Sequence, residues 1–278
     1  VTETDREKLR TTFGEDAERY DRCRPGYPAE MFDDLAILAG IAPQSRVLEI
    51  GCGTGQATLP LAQRGCAIVA VELSPDMAAI ARQHLAAFSG TQVVVSTFED
   101  WPLPAAGFDL VLSATAFHWI DPQIRTSKAA DALRSGGTLA VISTHHIAGG
   151  TEPFFAEVQE CYERFDPTTP PGLRLQASTN VPTDSTEIDD SRRFGPVQFR
   201  RYEWEHTYST QEYIDLLLTY SGHRAMPPTS QRGLLNCIAN LIDTGYGGRI
   251  TKRYMTQLAT ARRAGRGNRC LPRRTEAP

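Results

Sequence analysis

Between Val47 and Ser143, short apolar runs alternate with helix-patterned segments: RVLEI, ATLPLAQRG, AIVAVE, PDMAAIARQHLAAF, QVVVS, FDLVLSA, IRTSKAADALRSGG and TLAVIS. Successive strands separated by helix-length crossovers pair in parallel, and a parallel sheet must be covered by helices on both faces. Such crossovers are right-handed in nearly all proteins. The pattern therefore predicts an α/β fold with ligands beyond the C-terminal strand ends, where Glu49, Glu72, Ser96 and Ala114 are placed.

The chain of 278 residues is long enough for this core and further elements. We expect an N-terminal covering segment with a helix over 1–40, a ligand-binding core over 41–150, and the last strands with cap or lid insertions over 151–262. A basic mobile tail over 263–278 follows. Pro28 to Gly40 reads as a helix with proline in its first turn and glycine after its last. EPFFAEVQECYERF has helical amphipathicity, and the proline-bearing stretch from Pro167 to Ser191 reads as irregular. VQFRRYEWEHTYS and RITKRYMTQLATARR alternate like strands, with helical TQEYIDLLLTYSG and QRGLLNCIANLIDTG between them. This predicts a closing antiparallel pair with a helical cap inserted in it.

A net charge of −4 gives no general attraction for nucleic acid or an anionic membrane. A small-molecule acceptor is the expected partner, with a homodimer left open. Six of the first ten residues are charged and no apolar run reaches membrane-spanning length, so a cytoplasmic location is expected. Cys23, Cys52, Cys66, Cys161, Cys237 and Cys270 show no C-x-x-C or zinc spacing and are read as reduced, mostly buried thiols, with no metal expected.

Gly51, Gly53 and Gly55 open the turn after the first strand. The spacing is G-x-G-x-G, and Gln56 stands where a dinucleotide fingerprint would place its third glycine. Glu49, two residues before the loop, would repel a pyrophosphate and attract a cationic ligand. S-adenosyl-L-methionine carries an ammonium and a sulfonium and no phosphate. Glu72, ending the second strand, offers a carboxylate to the hydroxyls of a ribose.

VLEIGCGTGQ, VAVELSPDMAAIAR, FDLVLSATAFHWID and LRSGGTLAVIS together resemble the class I S-adenosylmethionine-dependent methyltransferases, from roughly Tyr20 to Ser143. YDRCRPGYP and AFHWID are most similar to the branch of the trans-aconitate and ubiquinone/menaquinone-type methyltransferases. The resemblance implies a Rossmann-like sheet, mostly parallel with a final antiparallel strand, and S-adenosyl-L-methionine as cofactor. It implies cofactor contacts from Tyr20, Arg24, Tyr27, Glu49, Gly51, Cys52, Gly53, Gly55, Gln56, Glu72, Leu73, Ser74, Met77, Phe98, Glu99, Ala114 and Phe117. Gly51 and Gly53 would lie against the methionine part, and Leu73 on the adenine. Thr97 departs from the family's aspartate, leaving Glu99 or Asp100 for the adenine amino group.

His118, after the fourth strand, is the candidate general base, since imidazole titrates near neutrality. Trp119 and His145 are candidate substrate contacts, with His146 beside them and cap aromatics such as Tyr220 as further walls. O-methylation of a small acceptor is the first reading. Carboxyl methylation of a small acid, C- or N-methylation, a nicotinamide oxidoreductase and a non-catalytic cofactor-binding protein are the competing ones.

Overall fold

The computed structural model describes residues 6, 10, 14 and 16–265. Seven strands, β1 (Arg46–Ile50), β2 (Ala67–Glu72), β3 (Thr91–Val95), β4 (Phe108–Ala114), β5 (Leu133–His146), β6 (Gln198–Ser209) and β7 (Arg249–Arg262), form one sheet in the order β3-β2-β1-β4-β5-β7-β6. β1 to β5 are parallel, β7 runs antiparallel to β5, and β6 antiparallel to β7. The strand order reverses between β1 and β4, which opens a crevice at their C-terminal ends.

Helices α1 (Ala17–Cys23), α2 (Ala29–Ala39), α3 (Thr58–Gln63), α4 (Pro75–His84) and α5 (Arg125–Ala132) accompany the parallel strands. Side-chain alternation along β1 sends Val47 to one face and Leu48 to the other. Val47 packs in a cluster with Phe32, Leu35 and Leu61; Leu48 joins Val111, Phe117, Ala129 and Leu139. Both faces are thus covered, as a parallel sheet requires.

α6 (Glu152–Phe165), α7 (Thr186–Asp190), α8 (Thr210–Leu217), α9 (Ser221–Arg224) and α10 (Pro228–Gly245) complete the described elements. α8 to α10 are inserted between β6 and β7 and pack with α6 around Phe154, Leu216, Leu234 and Ile238. This is the expected helical cap. Among the described residues no helix is long and apolar enough to cross a membrane.

Several local expectations are corrected. LRSGG does not precede β5 but lies within it: Phe108 pairs with Leu133 while Leu110 pairs with Thr138, so the intervening residues bulge out of the ladder. Tyr20 lies in α1, which starts where the Asp16 carboxylate accepts from the Arg19 amide at 3.1 Å. The 167–191 stretch contains α7, held by Glu187 against Arg125 and Thr126 of α5. Arg263, expected at the start of the tail, is tied to the sheet: it donates to the Leu133 carbonyl, and its amide donates to the Gly137 carbonyl. The remaining tail arginines from position 266 lie outside the described residues.

The thiol reading is also corrected. Cys161 of α6 and Cys237 of α10 form a disulfide, while Cys23, Cys52 and Cys66 are free. Its partners are 76 residues apart and meet only because the two helices pack side by side, so no local spacing announces them. Closing a loop of that length restricts the unfolded chain and stabilises by about 2–4 kcal/mol. Melting curves with and without dithiothreitol should show a lower Tm on reduction, and the paired Cys161→Ser and Cys237→Ser variant should melt at the reduced value in both. Identical curves for the reduced and oxidised protein would contradict a stabilising bridge.

Candidate active site

The centre of the crevice is organised by Glu72, the last residue of β2 and 8% exposed. One carboxylate oxygen accepts from the Gly53 amide at 2.8 Å and the other from the Ser74 amide at 2.9 Å. The same carboxylate therefore fixes both the glycine loop after β1 and the turn into α4. Burial pushes the Glu72 pKa up, opposed by the amides of Ser74, Gly53 and Leu73.

The glycine loop turns back onto the sheet through the Gly51 amide, which donates to the Val71 carbonyl at 2.8 Å. Gly51 has φ +70°, and a Cβ there would stand 2.5 Å from the Ala116 Cβ. Gly53 has φ +58°, a left-handed conformation that a side chain would strain. Both requirements were legible as glycines.

Glu49 is 1% exposed, and its Oε2 has no hydrogen-bond partner. Burial, opposed by the nearby Thr58 hydroxyl and reinforced by Glu72, raises its pKa to about 8. An unpartnered buried carboxyl beside a crevice is a costly feature unless a ligand completes it.

The crevice is a cavity of about 620 Å³. Of the expected residues, Tyr20, Arg24, Gly51, Gly53, Glu72, Leu73, Met77, Phe98, Glu99, Ala114, His118, Trp119 and His145 line it. Tyr27, Glu49, Cys52 and Gln56 line a small adjoining recess of about 20 Å³. Gly55, Ser74 and Phe117 line neither and act in the walls. Gly55 turns the loop at φ +93°, Ser74 caps α4 by accepting from the Met77 amide, and buried Phe117 packs under the Arg125 guanidinium. Glu99 is engaged by Arg10 at 2.8 Å and by the Asp121 amide at 3.1 Å, and Asp100 by the Thr97 hydroxyl at 2.7 Å.

His118 sits in the three-residue 3₁₀ turn Phe117–Trp119 after β4, at the cavity wall, with its ring 4.7 Å from that of Trp119. Desolvation and the Arg125 charge lower its pKa, so the imidazole is neutral at pH 7 and able to accept a proton. His145 bonds the Ser143 hydroxyl at 2.9 Å. His146 packs its ring 4.5 Å from that of Phe155, and burial together with Lys252 pushes its pKa down to about 2. No group of metal-ligating side chains is present among the described residues.

Several cavity residues escaped the sequence reading, among them Thr115, Lys252 and Tyr254. Thr115, just after β4, has φ +53° and bonds the Tyr27 hydroxyl at 3.0 Å, and nothing local marks a threonine for that conformation. Lys252 and Tyr254 extend from β7 into the cavity. Lys252 left one signal: it is the charged residue in the alternating series Ile250, Lys252, Tyr254, Thr256, Leu258 on the buried face of its strand.

The methyltransferase-domain family matches residues 47–137. An uncharacterized methyltransferase of Mycobacterium tuberculosis is 38% identical over 240 residues, covering 86% of this chain and 88% of that protein. A malonyl-[acyl-carrier protein] O-methyltransferase of Geobacter sulfurreducens is 37% identical over 120 residues, covering 42% of this chain and 45% of that one. Among solved structures, a type II methyltransferase from Anaeromyxobacter dehalogenans superposes with a TM-score of 0.57 at 23% identity, covering 86% of this chain and 97% of that chain.

Glu49 makes the cavity's state depend on pH. Its folded pKa of about 8 lies above the unfolded carboxyl value, so the stability it contributes is fully present below about pH 4.5 and is lost as pH rises through 8. In ligand-free protein, Glu49→Gln should remove this downward slope of stability between pH 5 and 8, seen in denaturant melts across that range. Equal slopes for the two proteins would show that Glu49 ionises freely.

Proposed function

The chain belongs to the class I S-adenosylmethionine-dependent methyltransferases, and from that premise we propose that it methylates an oxygen of a small-molecule acceptor seated beside His118. The observation that carries the reading is the joint cavity, which has a carboxylate-flanked glycine loop at one end and a neutral imidazole on the same wall system.

The residues present fit a cationic cofactor. Glu49, with its unpartnered Oε2, and the glycine loop line the recess, where a bound ammonium would favour the ionised carboxylate and displace its proton. Glu72 uses one acceptor site on each oxygen for backbone amides, leaving further lone pairs for ribose hydroxyls. Leu73 and Phe98 supply apolar walls for a base, and Tyr20 with Met77 covers the Gly53 side. When bound, S-adenosylmethionine supplies a methyl group already activated by its sulfonium.

The protein's own contribution is then position, dryness and a proton acceptor. Trp119, Ile120 and Tyr254 narrow the cavity around the acceptor. His118, neutral at pH 7, takes the proton that an alcohol or phenol must lose as its oxygen is methylated. The O-methyltransferase activity named for the Geobacter relative supports oxygen over nitrogen or carbon.

Two measurements test this. Glu72→Ala should weaken S-adenosylmethionine binding by about one to two decades in calorimetry, through loss of charge-assisted hydrogen bonds; unchanged affinity in a folded variant would displace the cofactor from this crevice. With an acceptor found by S-adenosylhomocysteine release, His118→Ala should lower turnover about 10²- to 10⁴-fold with cofactor affinity retained. The lowered His118 pKa places the acid limb of the wild-type rate below pH 6.5, because the protonated imidazole cannot accept. A mass spectrum placing the methyl group on nitrogen or carbon would contradict the oxygen assignment.

A further inference from the structure

Apart from Arg10, which is paired with Glu99, the two charge types of the cavity are separated in space. Its carboxylates, Glu72 and Glu99, stand beyond β2 and β3, whereas Lys252 reaches it from β7 and Arg24 from the end of α1. Lys252 is 5% exposed, and among the described residues no carboxylate pairs with it. Its partners are the Tyr220 hydroxyl, at 3.2 Å, and the ring faces of Tyr220 and Tyr254, at 5.3 and 5.1 Å. A buried ammonium ordinarily holds a carboxylate, and a hydroxyl with two ring faces is a weaker substitute.

Arg24 completes the arrangement from the other side of Tyr220. Its guanidinium lies 4.3 Å over that ring and donates through Nε and Nη2 to the hydroxyl and carbonyl of Thr219, at 2.8 and 2.9 Å. It holds Tyr220 in place and adds positive charge, while its fork is engaged elsewhere. One ammonium and one hydroxyl side by side then remain to meet a ligand. That donor pair matches the two oxygens of a single carboxylate and is too sparse for a phosphate dianion.

Resting on the methyltransferase reading, we infer that the acceptor is an organic carboxylate whose carboxylate group seats between Lys252 Nζ and the Tyr220 hydroxyl. The lysine loses little mobility when an anion binds, since burial by β7 and the two tyrosines already fixes it, so the site is preorganised. The cavity thus sorts its two ligands by charge, with the cation at the acid end and the anion at the basic end.

The test is calorimetric titration of protein saturated with S-adenosylhomocysteine, using acetate, hexanoate, benzoate and 4-hydroxybenzoate, their amides, and inorganic phosphate. At least one acid should bind, with its amide at least roughly 10-fold weaker and phosphate inert. Lys252→Met should weaken that acid roughly 10- to 100-fold and abolish the preference over the amide, with S-adenosylhomocysteine affinity retained. Lys252→Arg should keep the preference. Tyr220→Phe, which preserves the ring, should give a smaller loss and serves as the deciding variant if Lys252→Met does not fold. Binding of no acid, equal binding of acids and amides, binding of phosphate alone, or acid affinity unchanged in the folded variants would overturn the inference. Failure to bind S-adenosylhomocysteine would instead contradict the methyltransferase reading, so the two failures are distinguishable.

Discussion

The carboxylate of Glu72 ties together the parts on which the site depends. By accepting from the Gly53 and Ser74 amides, it joins the loop leaving β1 to the turn leaving β2, at the point where the strand order reverses. Those two turns set where α3 and α4 begin, and hence the width of the crevice. A neutral side chain would leave two amides with weaker acceptors and the glycine loop without its anchor. Ser74 works from the same turn, capping α4 while its amide holds Glu72.

From that anchor the cavity acquires its polarity. Glu49 lies beneath the glycine loop with an unbonded oxygen, and Glu72 faces the space above. Across the cavity the antiparallel β7 contributes Lys252, and the cap inserted between β6 and β7 contributes Tyr220. The final strand pair therefore does more than close the sheet: it brings a buried cation to the end opposite the carboxylates. The disulfide between α6 and α10 holds the cap together just behind that end.

What was legible in the sequence was local. The alternation of apolar runs and helical segments announced the parallel sheet, and the acid–glycine pattern around Glu49, Gly51 and Gly53 announced a loop with left-handed backbone beside a buried carboxyl. Glu72 and His118 were legible because strand ends are marked by the runs that precede them. What was not legible depends on long-range packing. Cys161 and Cys237 look like isolated cysteines until α6 meets α10, and Lys252 looks like an ordinary strand charge until Tyr220 of the cap packs against it. Thr115 takes a conformation set by its neighbours across the crevice, including the Tyr27 hydroxyl. Arg263 reads as tail sequence because its anchor, the Leu133 carbonyl, lies far back in the chain.

The carboxylate-flanked glycine loop suits a cationic, phosphate-free cofactor. Side-by-side calorimetric titrations of the full chain with S-adenosylmethionine and with NAD test it most directly. One S-adenosylmethionine should bind per chain, with no measurable heat from NAD, whose pyrophosphate would meet the Glu72 carboxylate. Saturable binding of NAD, with none of S-adenosylmethionine, would contradict it.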